Sequence, residues 1–205
     1  MDIIASIRRN SLGLGLFAIM TAGLIAITQQ LTKDTIADNI VRAQLAAFNE
    51  ILPADRYDNE LHTDIAELAP DKLLGTQENS HIYLARNAGE VEAIIFETIA
   101  VGGYNGNLSL LVAIDKNGIV TGSRVISHKE TPGLGDKVEL KKSPWILSFA
   151  QKTLGKTSDK DWQVKKDGGQ FDQFTGATIT PRAVVRAVKN TLLYFEEHKT
   201  SLLQR

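Results

Sequence analysis

From Leu12 to Ile27 the sequence LGLGLFAIMTAGLIAI carries no charged residue, and Thr28, Gln29, Gln30 and Leu31 extend it to the roughly 20 residues that a helix needs to cross about 30 Å of hydrocarbon. Such a run restricts the chain to three choices: a membrane-spanning helix, the buried core helix of a soluble domain, or a cleaved signal peptide. Gly13, Gly15 and Gly23 weaken a helix in water, whereas small residues let helices approach closely in lipid. Arg8 and Arg9 precede the run as they would in a signal peptide, but the polar end, Thr28-Gln29-Gln30-Leu31-Thr32-Lys33, lacks a small-x-small cleavage site. The reading is an uncleaved transmembrane helix over 11–32. Arg8 and Arg9 outnumber Lys33 immediately beyond it, with Arg42 further along reducing the asymmetry, so the positive-inside bias puts residues 1–10 in the cytoplasm and the rest outside.

The 205 residues leave room for one ordinary domain beyond such an anchor, and 43% hydrophobic residues suffice for its core. Lys and Arg number 23 against 24 Asp and Glu, a net charge of -1, which offers nothing to nucleic acid. The chain has no cysteine, which excludes disulfides, thiolate metal sites and protein-ligated iron–sulfur clusters, so any redox chemistry belongs to an organic cofactor. His62, His81, His128 and His198 are scattered, and His128-x-Glu130 is too sparse for a metal site that needs at least three converging ligands. No protein-bound metal is expected.

Ile36, Ile40, Phe48 and Ile51 recur at near-helical spacing and Pro53 closes the segment, so a second amphipathic helix, or a continuation of the first, is predicted over 34–52. Residues 53–80 are polar and read as a loop-rich connection, making 33–80 a juxtamembrane helix and link before a domain over 81–205. HIYLAR (81–86) with EVEAIIFETIA (90–100), and LSLLVAI (108–114) with IVTGSRVIS (119–127), read as two hairpins. WQVKK (162–166) reads as a further short strand, and Trp145 and Trp162 as core. A helix after Pro181, capped by Thr180, carries an apolar stripe of Val184, Val188, Leu192 and Phe195. Strands followed by a helix predict an α+β domain on an antiparallel sheet.

Asp172 to Pro181, DQFTGATITP, sets Thr175 and Thr178 around Gly176 and Ala177 just ahead of that helix. Free N–H groups and the helix dipole favour an anion there, by about 0.3–1 kcal/mol from the dipole alone. The pattern by itself fits an ordinary capped turn as well as a phosphate site. Lys165 and Lys166 fit either a phosphate counter-charge or solvated residues before a turn, and Tyr104 either a ring contact or packing within the domain.

TGATIT with Asp172 ahead of it resembles the D-x-x-[ST]-G-A-T-x-[ST] signature of the flavin mononucleotide (FMN)-binding domain shared by the G subunit of the Rnf electron-transport complex and the C subunit of the sodium-pumping NADH:quinone reductase. SHKETPGLGDKVEL (127–140), KKDGGQFDQFTGATITPRAVV (165–185), GGYNG (102–106) and the N-terminal anchor all resemble the pattern of the Rnf G subunit; its quinone reductase counterpart is typically longer. The resemblance implies FMN joined by a phosphoester to Thr178, with Thr175, Gly176 and Ala177 around the attachment and Glu130, Thr131 and Leu134 against the isoalloxazine ring. It further implies a flavin transferase that modifies Thr178 during maturation, and other membrane subunits as partners. The whole would pass electrons between a ferredoxin-like donor and NAD while translocating ions, with the flavin domain on the periplasmic side of the cell inner membrane. A membrane adaptor with an unmodified threonine is the reading from a different class.

Overall fold

The computed structural model describes residues 3–155 and 159–205. The chain divides into two units, 1–43 and 44–205. Helix α1, Ile3–Ile51, runs without a break through the first unit and into the start of the second, so the continuation holds and no separate second helix forms. Among the described residues, Ile7–Ile36 is the one helical stretch long and apolar enough to cross a membrane. Leu12, Leu16, Phe17, Ile19, Leu24 and Leu31 stand 60–76% exposed, the pattern of a helix whose apolar surface needs lipid or protein around it. Three of its hydroxyls are satisfied within the helix: those of Thr21, Thr28 and Thr32 donate to the carbonyls of Phe17, Leu24 and Thr28, four residues back, at 3.0, 2.8 and 2.8 Å. A hydroxyl bonded in this way can enter hydrocarbon without an orphaned donor.

The second unit is an α+β domain. Strands β1 (Ile65–Leu68), β2 (Ser80–Asn87), β3 (Glu90–Gly103), β4 (Gly106–Asp115) and β5 (Val120–Ser127) form one antiparallel sheet in sequence order. Both predicted hairpins are present; Ala88 and Gly89, each at positive φ, make the two-residue turn of the first. The alternation along the strands explains their unbroken apolar appearance. Ile94, Phe96, Leu110, Val112 and Ile114 face one core, whereas Ala93, Ile95, Leu111 and Ala113 face a second, so both sides of the sheet are buried. Helix α2, Ile179–Leu203, covers the first face with Val184, Val188, Leu192 and Phe195, all at 0% exposure, each contributing about 1.5–3 kcal/mol by burial. The second face is covered by Phe48 and Ile51 at the end of α1 and by Leu52 just beyond it. Of the four apolar residues read at helical spacing, Phe48 and Ile51 are buried, Ile36 is 54% exposed and the Ile40 side chain lies outside the described residues.

Three details depart from the sequence reading. Strand β1 forms within the stretch read as a loop, because Ile65, Ala66, Glu67 and Leu68 pair with β2 although the run is too short to show a period. The strand expected over 162–166 does not form: only Val164 makes a bridge, to Phe171, and Lys165–Asp167 is a 3-10 turn. Backbone groups here bond within their own loop, Lys165 N–H to Phe171 O at 2.7 Å and Phe171 N–H to Gln163 O at 3.2 Å. Finally, α2 begins at Ile179 with Thr178 as its cap position, so Thr180 lies inside the helix. Its fully buried hydroxyl serves Glu130 rather than an orphan N–H.

Candidate functional site

The TGAT segment is held from beneath by aromatic side chains. Trp145 packs edge-on to Phe149 and Phe174, with centroids 5.3 and 5.1 Å away, and Phe149 stacks on Phe171 at 4.7 Å. Trp145 and Trp162 are both buried, in agreement with their reading as core. The Trp145 indole N–H donates to Asp172 O at 2.7 Å, fixing the chain where the segment begins. From the buried Phe174 the backbone reverses through Thr175 and Gly176, and Ala177 N–H returns to Phe174 O at 3.1 Å. Gly176 supplies the positive φ of 80° that this turn needs. A Cβ there would stand 3.6 Å from Leu134 Cδ2, so the turn lies against the loop 130–135.

Thr178 follows directly. Its carbonyl accepts the weak 3.4 Å bond from Arg182 N–H, its side chain makes no capping hydrogen bond, and it is half-buried. Thr175 and Gly176 are exposed and Ala177 half-buried. The hydroxyl of Thr178 therefore stands at the N-terminus of α2 uncommitted to the cap it would ordinarily satisfy. Small neighbours leave it open, and the positive end of a long helix is beside it, an environment that suits a phosphate. These features fit an FMN phosphoester at this position.

Around this point the structure gathers segments far apart in sequence. Glu130 is buried, with Oε1 accepting Asn105 N–H at 3.1 Å and Oε2 accepting the Thr180 hydroxyl at 2.5 Å. Asn105 lies at the tip of the β3–β4 hairpin and its amide donates to Thr131 Oγ1 at 3.1 Å. Leu134, in contrast, is 42% exposed, and Tyr104 and Ile179 are 67% and 46% exposed. The carboxylate of Glu130 thus braces three segments from within, while Leu134 presents apolar surface outward.

The charged residues nearby are mostly paired. Arg182, one turn into α2, grips Asp167 through two bonds of 2.6 and 2.7 Å. Hydrogen bonds from this guanidinium first, and its charge second, hold the Asp167 carboxyl below the ordinary aspartate range, and Asp167 raises Arg182 in turn. Lys165 Nζ lies 2.6 Å from Asp172 Oδ1, so of the two lysines considered as counter-charges it is engaged with a carboxylate. Two clefts of about 370 and 340 Å³ flank α2; Arg186 and Asn190 line both and Thr178 lines neither. Among the described residues no three His, Asp or Glu converge as metal ligands. Asn105, Trp145 and His128 are the participants sequence reasoning did not assign to the site; each acts through a contact at least eleven residues away or through a backbone group.

Fold and site together define an FMN-binding domain, and residues 103–193 match the FMN-binding domain family. Residues 1–51 match the RnfG N-terminal region. The chain is 49% identical to the G subunit of the ion-translocating oxidoreductase complex of Pseudomonas aeruginosa (strain UCBPP-PA14) over 97% of its length and 92% of that protein. It is 48% identical to that of Shewanella piezotolerans over 97% and 93% of the two chains, and 44% identical to that of Aliivibrio fischeri (strain MJ11) over 98% and 96%. The chain belongs to the family of G subunits of the ion-translocating oxidoreductase complex.

Proposed function

We propose that the chain is a single-pass electron carrier of an Rnf-type membrane complex, with FMN esterified through its phosphate to Thr178. The observation that carries this reading is the Thr178 hydroxyl, half-buried at the start of α2 and making no capping bond. When bound, the flavin would supply reversible electron uptake and release. The residues do the rest: Gly176 and Ala177 keep the approach open, the N-terminus of α2 stabilises the phosphate charge, and Leu134 shields the ring from water. Attachment requires a separate flavin transferase working with a divalent metal. In that step the Thr178 Oγ would bond to the flavin-side phosphorus of flavin adenine dinucleotide as the P–O–P bond breaks, releasing AMP and the hydroxyl proton. Covalent attachment keeps the carrier loaded in a periplasm without free flavin. Electrons would pass between a ferredoxin-like donor and NAD through the other membrane subunits, coupled to ion translocation across the cell inner membrane.

Intact mass of the chain purified from its native membrane tests the attachment. The mass should exceed that of the sequence by one FMN less one water, and Thr178→Ala should abolish both the added mass and the ultraviolet-excited flavin band after denaturing electrophoresis. A Thr178→Ala chain that still carries flavin, on Thr175 or elsewhere, overturns the assignment.

A further inference from the structure

We infer that His128 is a positioning residue for the flavin-attachment turn, acting through Glu130; this rests on the reading of Thr178 as the attachment point. The imidazole is nearly enclosed, with 11% of its side chain exposed. Its Nδ1 accepts Glu130 N–H at 3.0 Å, and its Nε2 lies 2.7 Å from Glu139 Oε1. A backbone N–H can only donate, so Nδ1 carries no proton, and the ring proton sits on Nε2, where it meets the Glu139 carboxylate. The geometry thus selects one tautomer, and the ring closes the loop 128–139 by holding its two ends.

What the ring holds is the residue on which the site converges. The backbone of Glu130 is fixed by His128 and its carboxylate by Asn105 N–H and the Thr180 hydroxyl. Thr180 is two positions beyond Thr178 in the first turn of α2. The space for Glu130 is cut to fit: a Cβ on Gly135 would collide with Glu130 Oε2 and stand 3.0 Å from Thr180 Oγ1. Thr131 and Leu134 follow on the same loop, with Leu134 against Gly176. Releasing the Glu130 backbone therefore loosens both the surface over the flavin and the turn that presents Thr178. Glu130 is a brace of the attachment turn, and His128 sets where that brace stands.

The two ring nitrogens can be mimicked separately. His128→Asn places an oxygen near the position of Nδ1 and keeps an acceptor for Glu130 N–H; His128→Gln reaches toward Glu139 but leaves that N–H without its partner; His128→Leu removes both. Each is made in the full chain, coexpressed with the flavin transferase. Flavin occupancy is read by intact mass, and ring ordering by the visible circular dichroism of the attached flavin. The Asn variant should retain both signals, and both ring ordering and flavin occupancy should fall in the Gln and Leu variants. In the same variants made in a Thr178→Ala chain, amide exchange at Glu130 should quicken about five-fold for Gln and Leu, the loss of one ordinary hydrogen bond, and stay unchanged for Asn. An Asn variant no better than Leu overturns the inference, as does a Gln variant that retains both signals, which would transfer the role to the Glu139 contact. If the unsubstituted chain carries no flavin, the attachment reading fails, and the exchange rates still decide whether His128 holds the Glu130 backbone.

Discussion

Leu134 is the apolar side chain of the site with most to lose by being shortened. It stands 42% exposed and faces the open turn at Gly176, so its contribution is less to the domain core than to whatever lies over that turn. With FMN esterified to Thr178 as proposed, Leu134→Ala should leave the flavin attached, because the ester is made to the Thr178 hydroxyl, but should admit water to the ring. Water stabilises the negatively charged reduced flavin better than an apolar wall does. The midpoint potential should rise by roughly 10–30 mV, equivalent to about 0.5–1.4 kcal/mol for a two-electron couple. Redox titration with occupancy checked by mass reads this directly, and an unchanged potential at full occupancy would show that Leu134 does not cover the ring. At this scale the sequence was informative where a residue acts through its neighbours along the chain: Gly176 as a turn residue and Thr178 beside a helix start are both legible in DQFTGATITP. Glu130 and Thr180 were not, because the bond between them spans fifty residues. Thr180 before Pro181 has the composition of a helix cap, and only the buried carboxylate opposite it reveals its other use.

The end of α1 shows how an element is terminated by the sheet it covers. Arg124 of β5, buried to 8% side-chain exposure, donates from Nε to Glu50 Oε2 at 2.7 Å and from Nη2 to Glu50 O at 3.3 Å, while the Thr121 hydroxyl donates to Ile51 O at 2.8 Å. The guanidinium both pairs with a carboxylate and satisfies a carbonyl at the negative end of the helix. Arg124→Met keeps much of the volume but takes this donor from Glu50 Oε2 and Glu50 O, while Ile51 O keeps the Thr121 hydroxyl. It should cost about 2 kcal/mol, the scale of a charge-assisted hydrogen bond, lowering Tm by roughly 4–8 °C for a chain of this length. Thermal unfolding of the detergent-solubilised chain measures it, and an unchanged Tm would mean that solvent replaces the guanidinium at no cost. The elements themselves were legible wherever a pattern extended over enough residues: the stripe of α2 comes from a long periodic run, and β2 to β5 from apolar runs bounded by turn residues. WQVKK lacked that support. Lys165 and Lys166 are exposed, and the apolar pair Trp162 and Val164 is buried by aromatic packing under the TGAT loop, a tertiary contact with Phe171 that imitates strand alternation over five residues.

For the molecule as a whole, the proposed attachment depends on which side of the membrane residues 44–205 occupy, because a transferase would reach Thr178 only in its own compartment. The charges that decide orientation are few. Arg8 and Arg9 precede the apolar run, and Lys33 and Arg42 follow it; the bias is counted over short flanking segments, whereas a long domain crosses largely regardless of its charge. The near-neutral balance of the chain, a net charge of -1, adds no opposing pull. A reporter active only outside the cytoplasm, fused after Arg205, should therefore be active, and flavin should be present on the same fusion. Arg8→Glu combined with Arg9→Glu removes the cationic side of the asymmetry and leaves Lys33 and Arg42 beyond the helix, so part of the population should invert. In that variant extracytoplasmic reporter activity and flavin occupancy should fall together, while total protein in the membrane stays constant. A reporter that works only in the cytoplasm, in the unsubstituted chain, overturns the orientation and requires a cytoplasmic transferase instead. A fall in reporter activity without a matching fall in flavin would show that modification precedes or does not depend on export, and would separate where Thr178 is esterified from where the carrier works.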